Sequence, residues 1–271
     1  MDYFARGCRV LAITIELHST FTGGAKVLTR FHGRTALVTG ASRGIGAAVA
    51  VLLAKQGADV AINFRSKGSR AEQIAAEVDA LGRRSLLAQA DLTDESAVNA
   101  MAGAIKKSFG RLDILVLNAS GGLEKDKPAG YAMELNLTAQ VRVLDAMLPM
   151  MPAGGCTVFV TSHLAHFHGR KPVYMAYEGI VASKKAGEDA LRSRMPDFEA
   201  RGLRLAIVSG DMIDGTITPK LLERTQRGLI ESRRGQAGVL PTVQEFAAAI
   251  VDAAADAGRA NGHVTFVGTT D

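Results

Sequence analysis

Residues 35–46 read TALVTGASRGIG, a short apolar run that ends in a glycine-rich turn. The run is typical of a buried strand, and residues 44–57 continue with apolar side chains at helical spacing up to a terminal glycine. Glycines at such a turn permit a tight bend, close approach of the backbone to a pyrophosphate, and close packing of helix on strand. The helix N-terminus presents free N–H groups to phosphate oxygens. The segment therefore predicts a nucleotide-binding site.

The alternation of strand and helix continues along the rest of the chain. Apolar runs predict strands at 60–63, 85–90, 114–117, 156–160, 203–208 and 264–267, and helical spacing predicts helices at 69–81, 94–109, 130–151, 178–195 and 241–255. Right-handed crossovers between such strands build a parallel sheet covered on both faces. We therefore predict an α/β fold, a Rossmann-like doubly wound parallel sheet of about seven strands.

The length and composition fit one large domain. The chain has 271 residues, of which 47% are hydrophobic, so a sizeable core is available. Residues 1–31 carry glycine, serine and threonine without helical or strand periodicity. We interpret them as an N-terminal extension whose order the composition does not fix, and residues 32–271 as one dinucleotide-binding domain.

The charge, hydropathy and cysteine content exclude several classes of protein. A formal net charge of +5 is too small to indicate a nucleic-acid partner. No segment has the ~18 or more consecutive apolar residues of a membrane span, so we expect no membrane partner. The two cysteines, Cys8 and Cys156, form neither a disulfide framework nor a metal-ligand cluster. This composition favours a reducing, cytoplasmic location and no metal site.

The spacing of the first glycine turn resembles the cofactor motif of the short-chain dehydrogenase/reductases. Three further features lie where that family has them. Residues 91–94 (DLTD) resemble its adenine-contacting segment, and residues 118–121 (NASG) resemble its N-N-A-G motif, with Leu117 and Ser120 as departures. Asn136 resembles its helix asparagine, and Gly210 lies in the place of its proline-glycine turn. The resemblance extends from about residue 33 to the final strand.

The resemblance implies a set of cofactor contacts, and charge indicates which cofactor. The segment after the second strand, residues 63–66 (NFRS), holds no carboxylate to repel a 2′-phosphate, while Arg43 and Arg65 suit phosphate geometry. We therefore expect NADP(H), although Arg65 as a solvated loop charge is the alternative interpretation. The implied contacts are Gly40, Ser42, Arg43, Gly44, Ile45, Gly46, Arg65, Ser66, Asp91, Leu92, Asn118, Ala119, Ser120, Lys184 and Gly210.

The resemblance also implies a catalytic set of serine, tyrosine, lysine and asparagine. Ser162 follows the fifth strand and would donate a hydrogen bond to the substrate oxygen. Lys184, in the segment ASKKA, would lower the pKa of the tyrosine and hold the nicotinamide ribose. Asn136 would support a proton relay to Lys184.

The tyrosine departs from the family pattern. Y-x-x-x-K places it one turn before the lysine, where this chain has Ile180. Tyr177 lies seven residues before Lys184, close to two helical turns, and Gly179 between them would allow a bend. We predict Tyr177 as the proton donor. Tyr174, another acid such as a histidine, and loss of catalysis remain the alternatives.

Two polar segments flank this region. His163, His166 and His168 read as a solvated loop, and no carboxylate or cysteine lies near them in the sequence to complete a metal site. Residues 214–238 would cover the substrate. Their basic residues either attract an acidic substrate, such as a carboxylate or a phosphopantetheine carrier, or form a solvated helix face; they are Lys220, Arg224, Arg227, Arg233 and Arg234.

These features together predict an NADPH-dependent oxidoreductase that transfers a hydride to a carbonyl, a ketone reductase or secondary alcohol dehydrogenase. Its partner would be a small carbonyl or alcohol substrate, and the resemblance implies a homo-oligomer, a dimer or tetramer. The first alternative is a non-catalytic NADP(H)-binding sensor or scaffold, because a fold alone does not fix function. The second is a different reaction on the same fold, such as enoyl reduction.

Overall fold

The computed structural model describes residues 29–124 and 127–270, and these residues build one parallel sheet. Its seven strands are β1 (Thr35–Val38), β2 (Asp59–Phe64), β3 (Ser85–Gln89), β4 (Ile114–Leu117), β5 (Cys156–Ser162), β6 (Arg204–Gly210) and β7 (His263–Val267). The strand order is β3-β2-β1-β4-β5-β6-β7. The order reverses between β1 and β4, where such sheets bind ligands at their carboxyl edge. The predicted doubly wound fold is confirmed.

Helices cover both faces of the sheet. They are α1 (Gly44–Lys55), α2 (Gly68–Ala80), α3 (Glu95–Phe109), α4 (Tyr131–Met133), α5 (Ala139–Met147), α6 (His163–His166), α7 (Glu178–Ser193), α8 (Met195–Ala200), α9 (Ile217–Thr225), α10 (Leu229–Ala237) and α11 (Val243–Ala255). Alternate side chains of β1 enter different cores: Val38 packs in the core that holds α1 and α11, and Leu37 in the core that holds α3 and α5. Burial on both faces explains why the strands read as continuous apolar runs.

The long helix predicted at 130–151 is interrupted by a π-helical turn. Residues 134–138 form this turn between α4 and α5, and it contains Asn136. The backbone of α7 passes very close, since a Cβ added to Gly187 would lie 2.1 Å from the carbonyl oxygen of Asn136. Apolar periodicity does not reveal such a turn, which is frequent at functional sites.

Residues 29–31, which the composition assigns to the N-terminal extension, pack against the domain. Phe31 is 2% exposed, and its N–H donates to the carbonyl of Gln56 at 2.8 Å. Arg30 forms an ion pair with Asp252 of α11. The packed unit therefore includes at least three residues before position 32, and the rest of the predicted extension, residues 1–28, lies outside the described residues.

Within residues 29–124 and 127–270, none of the helices combines the length and apolar character needed to cross a lipid bilayer.

Candidate active site

A cavity of about 770 Å³ opens at the carboxyl edge of the sheet, beside the point where the strand order reverses. Its volume lies in the range of small-molecule sites. The cavity is lined by the glycine turn, the loops after β2 to β6, and parts of α7 and α9. Every residue predicted from the sequence as a cofactor contact lines it, and so do Ser162, Tyr177 and Lys184. Asn136 does not line it.

The glycine turn is shaped for a ligand that approaches the backbone. Gly40 has a φ of +65°, which a side chain would strain. A Cβ at Gly46 would lie 2.5 Å from the carbonyl oxygen of Gly40, so the turn closes only around glycine. The first turn of α1 begins at Gly44 and directs its unpaired N–H groups toward the cavity, an arrangement that suits phosphate oxygens.

Two polar residues fasten this turn to the neighbouring strands. The Thr39 hydroxyl accepts from the backbone N–H groups of Asn118 (2.9 Å) and Ala119 (3.0 Å), and the Asn118 side chain donates to the Thr39 carbonyl (2.8 Å). The loop after β4 is therefore held against the turn after β1. These contacts explain why a polar residue, Thr39 or Asn118, directly follows each of the apolar strands β1 and β4.

Asn63 holds the other side of the turn, and sequence reasoning missed this role. Its side chain accepts from the N–H of Gly40 (3.2 Å) and donates to the carbonyls of Ala88 (3.0 Å) and Ala90 (3.3 Å). It is 2% exposed. A polar residue at the end of the apolar run VAIN was the available signal. Asn63 thus ties the glycine turn to β3.

Basic side chains surround one end of the cavity. Arg43 and Arg65 both line it and are exposed, as do Lys67 and Arg70, which sequence reasoning did not single out. The Arg65 guanidinium donates to the hydroxyl of buried Tyr131 at 2.6 Å. Arg65 therefore has a defined position, contrary to a freely solvated loop charge.

One carboxylate, Asp91, also lies at this end of the cavity. Burial alone would raise its pKa, but hydrogen bonds from the hydroxyl and N–H of Thr93, with the charges of Arg65 and Lys127, bring the pKa below its usual value. Asp91 is therefore ionised at neutral pH, and its Oδ1 accepts both hydrogen bonds from Thr93.

Ser162 and Lys184 both line the cavity, from β5 and α7 respectively. Ser162 ends β5 and caps α6, where its hydroxyl oxygen accepts from the N–H of Ala165 (3.3 Å). The hydroxyl proton remains available for a ligand. Lys184 on α7 is half-buried, and burial lowers the pKa of its ammonium group to about 8.

Asn136 lies behind the cavity wall and holds its parts together. It is 2% exposed, and its side-chain amide donates to the Gly121 carbonyl (2.9 Å) and the Ser183 hydroxyl (3.0 Å). The same side chain accepts from the Gly121 N–H (3.3 Å). Its side chain thus joins the loop after β4 to the residue that precedes Lys184.

Ile180 occupies the wall where the family pattern has tyrosine. It is 6% exposed, lines the cavity, and packs so closely on Gly122 that a Cβ there would lie 2.9 Å from the Ile180 side chain. Gly122 has a φ of +122°. Since an isoleucine carries no proton to donate, this position contributes only apolar surface.

Tyr177 lines the same cavity, but its surroundings differ from the prediction in two ways. It precedes the first residue of α7, and the helix continues regularly through Gly179, so the change of direction lies at Tyr177 rather than at the glycine. Burial raises the pKa of its phenol to about 12. The predicted lowering of this pKa by Lys184 is therefore wrong for the protein without ligand, because burial alone sets the shift.

The histidines of residues 163–168 are not a solvated loop. His163 is 6% exposed and its Nδ1 lies 2.9 Å from the Ser209 hydroxyl. His166 contacts Glu188 and His168 contacts Glu178, two carboxylates of α7 that lie farther along the chain. Burial lowers the pKa of His163 to about 4, with the charge of Asp211 opposing, so it is neutral at pH 7 and unsuited as an acid.

Most basic residues of the covering segment, residues 214–238, do not face the cavity. Arg233 lines it but binds both oxygens of Asp211 at 2.9 Å, and Arg234 pairs with Asp214. Of the other predicted basic residues, only Lys220 lines the wall. The solvated-face interpretation thus fits much of this segment.

Among the described residues, no group of three or more histidine, cysteine or acidic side chains is placed to hold a metal ion. Cys156 is buried in the sheet, and burial raises its pKa to about 11.

Comparison with known families decides the class of this fold. Residues 34–226 match the family model of the short-chain dehydrogenases. The chain belongs to this family. It is 35% identical to hydroxynaphthalene reductase of Aspergillus fumigatus over 63% of each chain, and 30% identical to 1-cyclohexenylcarbonyl-CoA reductase of Streptomyces collinus over 67% of this chain and 65% of that one. Each match covers slightly less than two thirds of the relative's length.

Solved structures of short-chain dehydrogenases share the fold over most of the chain. A Burkholderia cenocepacia member in complex with NADP has a TM-score of 0.77 and 31% identity, covering 88% of this chain and 97% of its own. A blue fluorescent protein from a metagenomic library, in complex with NADPH, has a TM-score of 0.75 and 30% identity over the same shares. The family resemblance read from the sequence is confirmed.

Proposed function

We propose that this short-chain dehydrogenase binds NADP(H) and reduces a carbonyl group of a small substrate. The observation that carries the cofactor assignment is the basic end of the cavity, where Arg43 and Arg65 stand and no carboxylate follows β2. Guanidinium groups pair well with phosphate, whereas a carboxylate there would repel a 2′-phosphate. The NADP-bound relatives support the same assignment.

The residues around the glycine turn fit such a dinucleotide. A Cβ at Gly46 would close the space beside Gly40, and the N-terminus of α1 offers N–H groups for the pyrophosphate. Asp91 and Leu92 would contact the adenine, and Lys184 the nicotinamide ribose. NADPH, when bound, supplies a hydride to the substrate carbon.

The chain's own residues would supply the proton and orient the oxygen. Ser162 keeps its hydroxyl proton free and would donate a hydrogen bond to the substrate oxygen. Tyr177 would transfer its phenolic proton to that oxygen as the carbon accepts the hydride, so the carbonyl becomes an alcohol. Lys184, whose pKa is about 8, is largely charged at neutral pH and would favour the phenolate that remains.

A second candidate reaction follows from the position of Tyr177. The turn before Lys184 carries Ile180, so Tyr177, which precedes α7, lies farther from the lysine along the chain than the family pattern places the tyrosine. In an α,β-unsaturated thioester, the carbon that accepts hydride lies two bonds from the carbonyl carbon, so the oxygen also lies farther from the hydride. Reduction of an enoyl thioester therefore fits the greater separation of Tyr177 from Lys184. One relative is named a cyclohexenylcarbonyl-CoA reductase.

A single experiment separates these functions. The full-length protein is mixed with NADPH and, in separate reactions, with a panel of aldehydes, ketones and crotonyl-CoA, and products are identified by mass spectrometry. Alcohols from the carbonyl panel support carbonyl reduction, and a saturated thioester supports the second candidate. Binding of NADPH with no product from either class contradicts both and favours the non-catalytic alternative. Equal affinities for NADPH and NADH contradict the cofactor assignment.

A further inference from the structure

The segment that runs from the end of α6 to Lys171 (residues 166–171) is fixed to α7 at two points. Nδ1 of His166 lies 2.9 Å from Glu188, a carboxylate that is 0% exposed, and Nε2 of His168 lies 2.7 Å from Glu178. Glu188 also accepts from Arg192 at 2.9 Å. Such paired contacts hold the segment in one arrangement, so the side chains that it directs at the cavity are pre-positioned.

Lys171 lies at the end of this fixed segment and lines the cavity with Ser162 and His163. Its ammonium group is 4.9 Å from the centroid of the Phe167 ring, and Phe167 stacks on Phe266 with centroids 5.5 Å apart. A cation over an aromatic face is held without losing its charge. Within residues 29–124 and 127–270, no carboxylate lies within ion-pair distance of Lys171.

The carboxylates of this part of the wall are already engaged. Asp211 receives both arms of the Arg233 guanidinium, and Glu124 accepts from the N–H of Gly122 at 2.6 Å. The charge of Lys171 is therefore not balanced by these side chains. The same cavity wall includes apolar side chains, among them Leu164 and Met212. A cavity that combines apolar wall with a held cation suits a ligand that has an apolar body and an anionic group.

We propose that Lys171 binds an anionic group, a carboxylate or a phosphate, on the substrate. The proposal rests on the proposed function, because it takes this end of the cavity as the substrate site. It differs from attraction by a basic covering segment, because Lys171 lies outside residues 214–238. The substrates favoured by this site are oxo acids, phosphorylated carbonyl compounds or thioesters with an anionic end.

The test measures equilibrium binding to the protein saturated with NADP⁺, so that no turnover is needed. The probes are 4-carboxybenzaldehyde, its neutral methyl ester, and 4-formylphenyl phosphate, titrated by calorimetry. The variants are Lys171→Gln, Lys220→Gln and, as a control, Lys107→Gln, which removes an exposed lysine of α3 outside the cavity. Affinity for NADP⁺ is measured first for each protein, since its absence in the parent would refute the proposed function itself.

We expect the parent to bind an anionic probe about tenfold more tightly than the ester, as hydrogen bonds to a charged group imply. The preference should decrease with added salt. Lys171→Gln should abolish it and leave the affinities for the ester and NADP⁺ unchanged, and Lys107→Gln should retain it. The two anions distinguish a carboxylate from a phosphate site. Equal binding of anion and ester, no binding of either anion, or loss of the preference only in Lys220→Gln would overturn the proposal.

Discussion

Arg65 donates a hydrogen bond to the phenol of Tyr131 at 2.6 Å, which joins the loop after β2 to the first residue of α4. This contact holds a guanidinium group at the basic end of the cavity. We predict that Arg65→Gln weakens NADPH binding by about 10–100-fold, because a charged hydrogen bond to the 2′-phosphate is lost. NADH, which lacks that phosphate, should bind the variant and the parent equally.

The matched variant Tyr131→Phe keeps the ring and removes only the hydroxyl group that positions Arg65. It should weaken NADPH binding less than Arg65→Gln and leave NADH binding unchanged. Fluorescence titration with each nucleotide measures both effects. An equal loss of NADH affinity in either variant would show that Arg65 acts on the shared part of the dinucleotide instead.

Lys184 is predicted to lower the stability of the protein without ligand. Its folded-state pKa of about 8 lies below the usual 10.5, so folding disfavours its charged form. Below pH 8 the group is charged in both states, and the cost is fully present. From pH 8 to 10.5 only the unfolded state keeps the proton, so the cost disappears as pH rises.

Lys184→Met should therefore raise the free energy of unfolding at pH 7 by about 1–3 kcal/mol, with little gain at pH 10.5. The same variant should lose NADPH affinity and activity, because the ammonium group is gone. Denaturant unfolding at both pH values measures the first effect. A variant that is less stable than the parent at pH 7 would contradict the destabilising effect expected of this half-buried ammonium group.

His163 should make the protein sensitive to acid. Its folded-state pKa is about 4 against the usual 6.5, so above pH 6.5 it is neutral in both states. As pH falls from 6.5 to 4, the unfolded state takes up a proton that the folded state does not, and stability decreases by up to about 3 kcal/mol.

The change of Tm between pH 6.5 and 4.5 should thus be smaller in His163→Gln than in the parent. His32→Gln is the control, since His32 is exposed. Scanning calorimetry at the two pH values provides the comparison. An identical acid-induced change of Tm in the parent and His163→Gln would mean that other groups cause the acid sensitivity.

Glu188 is predicted to stabilise the site rather than react in it. It is fully buried, and it binds His166 and Arg192. Glu188→Gln leaves both basic partners without a carboxylate, which should lower the free energy of unfolding by about 3 kcal/mol. Asp189→Asn, at the adjacent exposed position that pairs with Lys185, should cost less than about 1 kcal/mol. Similar losses in both variants would contradict the structural role of the buried carboxylate.

Local sequence was sufficient to predict the strands of the sheet and the glycine turn, because both depend on short-range patterns. The run TALVTGASRGIG specifies a strand, a turn and a helix within 12 residues. His166 and its partner Glu188 lie 22 positions apart in the sequence, and only the packing of α6 on α7 brings them together. The burial of Tyr177 depends on tertiary packing in the same way, so its raised pKa was not foreseen.

The role of Asn136 was likewise predicted only in part, because its place in the sequence was apparent but its contacts depend on tertiary packing. Its position in a helix after β4 was predicted, but its partners come from two other elements, Gly121 and Ser183. Gly187 of α7 passes close to the π-helical turn that contains it. Spacing within one element cannot specify such contacts between elements.

Tyr177 is the proposed proton donor in an NADPH-dependent reduction. The measurement that tests it most directly is the single-turnover rate of the best substrate of the panel with saturating NADPH, for the parent, Tyr177→Phe and Tyr174→Phe. Positioned proton transfer typically contributes ~10²–10⁴-fold, so Tyr177→Phe should lose that factor while NADPH affinity stays unchanged. Tyr174→Phe, which also alters a phenol of the cavity wall, should keep most of the rate. A parental rate in Tyr177→Phe would contradict the claim.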